Sequence, residues 1–592
     1  MKYYPTLKEL NTSREWLDVF GGYNHNLRIG EGEFYDMTNL SSDHYPILSP
    51  RPKRGTYATP AKPQGMVAKD SLCYIDGSKF VINEYPVDMG LKENKDDEGK
   101  VIPKTLISMG AYVIIMPDKK YINTADLTDW GNIEAAITTS GQVSFDLCKA
   151  DGSAYETTVK QAAEPKITAE MEADPSKIPL WLDTSSKPHS LKQYSTSSGM
   201  WSTIATTYIK ITATGIGKPF EVNDGVTISG VESEALADLN ASIIILAKGD
   251  NYIVVTGIID EATTQTKPLT VERRMPEMDF IVESGNRLWG CRYGPQGDQI
   301  VNEIYASKLG DFRNWSCYQG ISTDSYAVTV GTDGQFTGAI TYLGYPIFFK
   351  ENYMHKVYGN YPANYQVQTT ACRGVQKGCG KSLAIVNEVL YYKGRMGICA
   401  YDGSLPMEIS SALGGVTYNK AVAGYLGNKY YVSMLDTSGV YHLFVYDTLK
   451  RMWHREDNTE ALDFCNCRGD LYYIDWADNQ IKSIKGAGVA ETKAINWEAV
   501  TGVIGTDSPD KKYISRLDVR MLLEVGAKVS FFAEYDSSGD WEFLFNMEGV
   551  KLQSFAVPIR PKRCDHLRLK IVGEGDAKIY SICKTIEQGS DA

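Results

Sequence analysis

The 592-residue chain is poor in several features that would fix a function early. No apolar run approaches the roughly 18 residues of a membrane-spanning helix. The longest stretches, Ala111 to Met116 and Ile243 to Ala247, are strand-sized. The first residues, MKYYPTLKELNTSREW, carry charge where a signal peptide needs an apolar segment, so the expectation is a protein made in a cytoplasm and not exported by that route. Histidine is scarce, at 7 residues, which leaves few candidates for acid–base or metal chemistry. Cysteine numbers 11, an odd count at irregular spacing, which argues for reduced, buried thiols over a disulfide framework. Basic charge is also short: 61 Lys and Arg against 73 Asp and Glu give a net −12, which excludes wrapping nucleic acid over the whole surface. Long helical periodicity is nearly absent.

What is present is apolar content of 43%, enough for packed cores and, by length, for about four domains' worth of chain. Tyrosine (38) and glycine (53) are abundant, and runs of Tyr, Val and Ile broken by Gly-containing turns are the pattern of strands and hairpins. One unit recurs: a polar turn, a strand, a short turn, and a second strand ending in a polar residue. It occurs at Leu72–Ile82, Ala111–Ile122, Asn286–Ser307, Tyr345–Gly359, Glu388–Gly403, Gly427–His454 and Gly469–Ile484. In the later part the spacing is about 40 to 45 residues, the period of propeller blades, each of which covers its neighbour's sheet. The competing arrangement is a sandwich of β-meanders. The fold class expected is therefore all-β: a β-propeller with an inserted small β domain and a C-terminal β-sandwich. The expected boundaries are 1–60, an extended N-terminal arm; 61–135, the first blades; 136–275, the inserted β domain or domains; 276–488, the remaining blades; and 489–592, the sandwich. On the arm, Arg28, Arg51 and Arg54 are read as solvated side chains or as contacts to a neighbour.

Motifs for chemistry are weak. Gly374 to Ser382 (GVQKGCGKS) resembles a phosphate-binding loop, but Val375 stands where the first glycine is needed and no long helix follows; a glycine-rich connection between blades is expected instead. Gly215-Ile216-Gly217-Lys218 is shorter still. Cys465 and Cys467 lack a second pair at zinc spacing, with His454 standing alone, and Cys372 and Cys379 are too far apart for a zinc knuckle. Asp96-Asp97-Glu98 lacks the alternating spacing of a calcium loop. His25, His44, His189, His355, His442, His454 and His566 are mostly far apart in sequence, and none adjoins a nucleophile motif. No catalytic residue, cofactor ligand or metal ligand is assigned, and the expectation is a protein without enzymatic activity.

Arg287-Leu288-Trp289, followed by Asn302 to Trp315 (NEIYASKLGDFRNW), resembles a segment of tail proteins of tailed bacteriophages, in which a hairpin ends in a Ser, basic, x, Gly-Asp-Phe turn before an aromatic residue. Asp224 to Val255 is similar to small β modules in the nozzle proteins of short-tailed phages. Pro558 to His566, with Gly573 to Asp576, looks like the end of structural proteins of phages and prophages. The resemblance implies a virion tail protein made in the host cytoplasm. It implies a nozzle or tail-hub component forming closed homo-oligomeric rings, typically hexamers, beside other tail proteins such as adaptor and fibres. Such a ring retains the genome and conducts DNA during ejection without binding it specifically, and has no membrane span. A net negative chain repeated around a ring gives a lumen along which DNA slides. This chain is shorter than the well-known nozzles, with fewer inserted domains. The alternatives are a receptor- or glycan-binding tail protein and a glycan-degrading propeller enzyme.

Overall fold

The computed structural model describes residues 12–588, apart from 97–98, 156–158, 162–179, 186, 298, 507–510, 550–551 and 561. Asp97 and Glu98, the last two residues of the acidic triplet 96–98, thus lie outside the described residues, as do residues 1–11.

Seven antiparallel sheets follow one another at 63–88, 105–132, 280–329, 336–371, 384–408, 418–455 and 461–490. Their innermost strands neighbour one another in a closed ring. Pro63–Ala68 lies beside Thr105–Met109, and the order continues through Phe280–Ser284, Phe336–Tyr342, the turn Gly380–Ser382 with Ala384–Val386, Tyr418–Leu426 and Ala461–Cys467, which returns to Pro63–Ala68. This is a seven-bladed β-propeller. The recurring unit of the sequence corresponds mainly to the two middle strands of each blade. These are buried on both faces because a blade lies on either side: Asp470–Asp475 is buried at every residue, and Tyr345–Lys350 at all but its first.

Turn chemistry sets the register. Two-residue loops in which both residues have positive φ match the twist of the flanking strands. Such loops close the first hairpin of four blades, at Gly285-Asn286, Leu343-Gly344, Asn387-Glu388 and Arg468-Gly469.

The seventh blade is not completed within 276–488. Gly55–Ala58, from the segment read as an arm, pairs with both Ile481–Ser483 and Val489–Ala490 and supplies the fourth strand. Arg54 fastens it. Its guanidinium, buried, lies 2.5 Å from Glu456 Oε2 and 2.9 Å from Asp457 Oδ2, and donates to the Tyr473 hydroxyl at 2.9 Å. Arg51, also buried, binds Glu491 at 3.0 Å. The expectation that these two arginines are solvated is corrected: carboxylates more than 400 residues away in sequence neutralise them, which is what permits a charged side chain to be buried. Arg28 is exposed.

Three further sheets lie between the second and third blades. Two of them share a core that includes Phe145, Ile211, Phe220 and Val255, and the third carries a smaller one of Leu180, Leu182 and Leu191. At the C-terminal end, Lys512–Leu523, Gln553–Val557 and Ala577–Gln588 form one sheet, completed at its edge by Thr12–Leu17. A second consists of Phe34–Thr38, Asn496–Thr501, Leu567–Glu574, Lys528–Tyr535 and Glu542–Glu548. Leu517, Val519 and Met521 of the first sheet share a core with Trp497, Phe531 and Ile571 of the second, and that core runs on into the fourth to sixth blades. No helix among the described residues is long and apolar enough to cross a membrane.

Candidate functional site

A cavity of about 670 Å³ lies among the innermost strands at the propeller axis. Phe280, Ile281, Ala421, Val422 and Leu462 give it apolar walls, and the connection from the first to the second blade, including Val101, Ile102 and Pro103, lies against it. Lys100, Lys381, Glu460 and Asp279 on its walls are paired. Lys100 donates to Glu460 at 2.5 Å, with its ammonium 5.2 Å from the Trp476 ring centre, and so ties that connection to the seventh blade. Lys381 meets Asp463 at 2.8 Å, and the other Asp463 oxygen accepts the Met66 N–H at 3.1 Å. Asp279 is held by Arg292 at 2.8 Å and by the Tyr293 N–H. The Glu460 and Asp463 contacts cross blade boundaries and cross-link the ring, whereas Asp279 is bound within the third blade.

The glycine-rich Gly374–Ser382 segment forms the innermost turn of the fifth blade. Its glycines serve close packing: a Cβ on Gly374 would stand 1.8 Å from the Lys350 carbonyl oxygen, and one on Gly380 would stand 2.7 Å from the Phe280 ring. Ser382 donates to the Cys379 carbonyl at 2.6 Å and accepts the Lys393 N–H. In Gly215–Lys218, Gly217 lies where a Cβ would meet the Gly249 carbonyl oxygen at 2.1 Å. All 11 cysteines are free, and nine are buried. Burial raises the thiols of Cys372 and Cys379 to about 11, so both are protonated near neutral pH. Among the described residues no three His, Cys, Asp or Glu side chains stand together as metal ligands.

The histidines are dispersed. His454 is pushed down to about 3 by burial, reinforced by Lys429, and His355 to about 4 by burial and Lys350. His355 bonds Thr332 at 3.0 Å and Thr369 at 2.9 Å. His25 reaches the Tyr35 carbonyl, His189 Asp260, His442 Asp436, and His566 both Ser537 and Asp565, while His44 is exposed.

A second constellation was not legible in the sequence. Ser307 to Trp315, the turn that carries the tail-protein resemblance, joins the third blade, the second blade and the inserted module. Arg287, 1% exposed, donates to the carbonyls of Ser307, Ser322 and Asp324 and fixes the connection from both sides. Asn314, fully buried, donates to Asp311 at 2.5 Å and to Asp224 of the inserted module at 3.0 Å, and accepts the Gly225 N–H at 2.9 Å. Asp224 in turn pairs with buried Arg273, whose Nε donates to the Ile133 carbonyl. Phe312 packs on Tyr112 and Tyr121 of the second blade, with ring centres 5.1 and 5.2 Å away. Asp224-Gly225 reads in sequence only as a turn, and nothing local pairs it with residues 49 and 90 positions on.

No protein-family model and no curated protein matches the chain. Among solved structures, an exo-β-1,3-galactanase from Phanerochaete chrysosporium is 9% identical, with a TM-score of 0.21, and the match covers 51% of this chain and 94% of that one. A Trypanosoma rangeli sialidase in complex with sialic acid is 9% identical, with a TM-score of 0.24 over 98% of this chain and 96% of that one. An acylaminoacyl peptidase from Pyrococcus horikoshii is 10% identical, with a TM-score of 0.22 over 48% and 47%. These three are named as enzymes, and the expectation of a chain without enzymatic activity is withdrawn on that finding. At these scores the likeness transfers no activity, substrate or residue to this chain.

Proposed function

We propose that the chain is a structural component of a bacteriophage virion tail, a nozzle or tail-hub subunit that assembles into a closed ring, retains the genome and conducts DNA outward. The observation that carries this reading is the junction around Asn314. The turn that resembles those of phage tail proteins is the turn whose side chains clamp the inserted module to the propeller, through buried Asp224, Arg273 and Asn314. A buried, hydrogen-bonded charge network fixes one relative orientation of two bodies. A subunit that transmits load around a ring needs that rigidity, because heterologous contacts close only at one angle. The strand exchange that closes the propeller through Gly55–Ala58 serves the same mechanical end.

The test is assembly. Mixed with its portal and adaptor proteins, the full chain is expected to form rings of fixed order, visible by electron microscopy and sized by mass photometry. In particles labelled at this chain, density is expected at the tail. A chain that remains monomeric with those partners, or label found off the tail, overturns the proposal.

A further inference from the structure

Lys528–Tyr535 and Leu567–Glu574 are antiparallel neighbours in the second C-terminal sheet, with Tyr535 opposite Leu567. The residues that follow the first strand and those that precede the second therefore leave the sheet side by side. Asp536 fixes them together. Its N–H donates to the His566 carbonyl at 3.0 Å, and its Oδ1 accepts the N–H groups of Asp565 at 2.7 Å and His566 at 3.3 Å. Asp536 and Ser537 are the central residues of a tight turn, closed by the Ser538 N–H donating to the Tyr535 carbonyl at 3.1 Å. Both have positive φ, 52° and 50°. A serine in that region is uncommon and stays there only where its surroundings impose it.

Three side chains meet there in a fixed order. The Ser537 hydroxyl lies 2.8 Å from His566 Nε2, and His566 Nδ1 lies 3.0 Å from Asp565 Oδ2. A carboxylate only accepts, so the neutral imidazole carries its proton on Nδ1 and its Nε2 accepts the Ser537 hydroxyl. A hydroxyl within hydrogen-bond reach of a base, and a third group that orients the base, are the parts of an activated nucleophile. The Ser537 N–H has no hydrogen-bond partner among the described residues. Residues 536–540 are exposed throughout, and the His566 side chain is 23% exposed, so a substrate reaches the hydroxyl directly from solvent.

We propose that Ser537, His566 and Asp565 form a hydrolytic site for short-chain carboxylic esters. Ser537 Oγ attacks the ester carbonyl carbon as its proton passes to His566 Nε2, and the carbonyl π pair moves onto oxygen, with the Ser537 N–H available as a donor to it. The pair then returns, the bond to the alkoxy oxygen breaks, and the departing alcohol takes the proton from Nε2. Water adds to the acyl-serine while Nε2 takes its proton. The carboxylic acid leaves, and that proton returns to Ser537 Oγ. Asp565 is a positioning residue, which holds the Nδ1 tautomer and stabilises the imidazolium. A single amide donor stabilises an oxyanion sparingly, which favours an ester over a peptide, because an alkoxide leaves more readily than an amine. The exposed turn gives a long acyl chain nothing to be buried against, which favours a short one.

The full chain is treated with an alkyl fluorophosphonate, which marks activated serines, and the adduct is located by peptide mass spectrometry. Turnover of para-nitrophenyl acetate and para-nitrophenyl octanoate is followed alongside. The adduct is expected at Ser537, and the acetate is expected to be cleaved faster than the octanoate. Ser537→Ala is expected to lower kcat/KM for the acetate about a hundredfold or more. Asp565→Asn is expected to lower kcat with KM unchanged, and Asp565→Glu to recover part of the loss. The Ser537 and Asp565 side chains are exposed, and an unchanged melting curve verifies the fold of each variant. No adduct at Ser537, turnover that survives Ser537→Ala, a preference for the octanoate, or an Asp565→Asn chain as active as the unsubstituted one overturns the proposal. Ring assembly is read separately and does not depend on this result.

Discussion

Replacing Arg54 with methionine tests how the propeller is held shut. The substitution preserves much of the side-chain volume and removes the charge. Glu456, 3% exposed, and its neighbour Asp457 then lose the guanidinium that both contact, and Tyr473 loses a donor. Removing one member of a buried ion pair destabilises by about 3–5 kcal/mol, because the remaining charge stays buried without a partner. If that loss falls on local opening of the closing strand, the open fraction rises roughly a hundred- to several-thousand-fold. Hydrogen exchange measured by mass spectrometry reads this directly. Amides in Gly55–Ala58 and Ile481–Ser483 are expected to exchange faster by that factor, while those of the third blade remain as they were. Adding Glu456→Gln to the Arg54→Met chain is expected to recover part of the protection. Unchanged exchange in the closing strand, or equal acceleration throughout the protein, refutes the argument that this network is the fastener.

Buried His355 and His454 are neutral in the fold and ionise near pH 6.5 when unfolded, so their contribution is fully present above about pH 6.5 and is lost as pH falls toward 4, at about 1.4 kcal/mol per pH unit for each. Denaturation midpoints across that window are expected to fall, and His355→Asn is expected to flatten the slope. Asp457 and Glu491, held below the ordinary carboxylate range by Arg54 and Arg51 against the opposing effect of burial, add a second loss below about pH 4. Asp224→Asn leaves Arg273 buried without its counter-charge, and is expected to weaken the junction by about 3–5 kcal/mol, seen as new exchange and proteolysis at 225–229 and 307–317. Gly573→Ala places a methyl group 1.9 Å from the buried Trp497 indole and is expected to lower stability by about 1–3 kcal/mol, measured by thermal unfolding.

The blades were legible in the sequence because their middle strands are largely buried, and so read as apolar runs between turn residues such as Gly77 and Gly427. The outer strands were not. Tyr85–Asp88 and Met407–Glu408 are short and largely exposed, and lack the apolar alternation that marks a half-buried strand. The closing strand escaped for another reason: Gly55–Ala58 takes its meaning from Ile481–Ser483, and no local pattern records a partner that far away. The burial of Arg51 and Arg54 was invisible for the same cause. At the axis the sequence pointed to Gly374–Ser382, whose glycines prove to answer carbonyls and rings of neighbouring blades. The Asp224–Asn314 clamp and the meeting of Ser537 with His566 depend on loops meeting in space, which composition does not encode.

The closing strand also imposes an order in time. Gly55–Ala58 leaves the ribosome early, but its partner at Ile481–Ser483 is more than four hundred residues behind, roughly 20 to 90 s at ordinary rates of synthesis. Until then the nascent chain carries an unpaired strand and an open ring of blades, with edges available to any neighbouring polypeptide. Chains translated side by side from one message are therefore candidates for exchanging that strand, and a chaperone that shields the first sixty residues would raise the yield of closed subunits more than one acting on the finished chain.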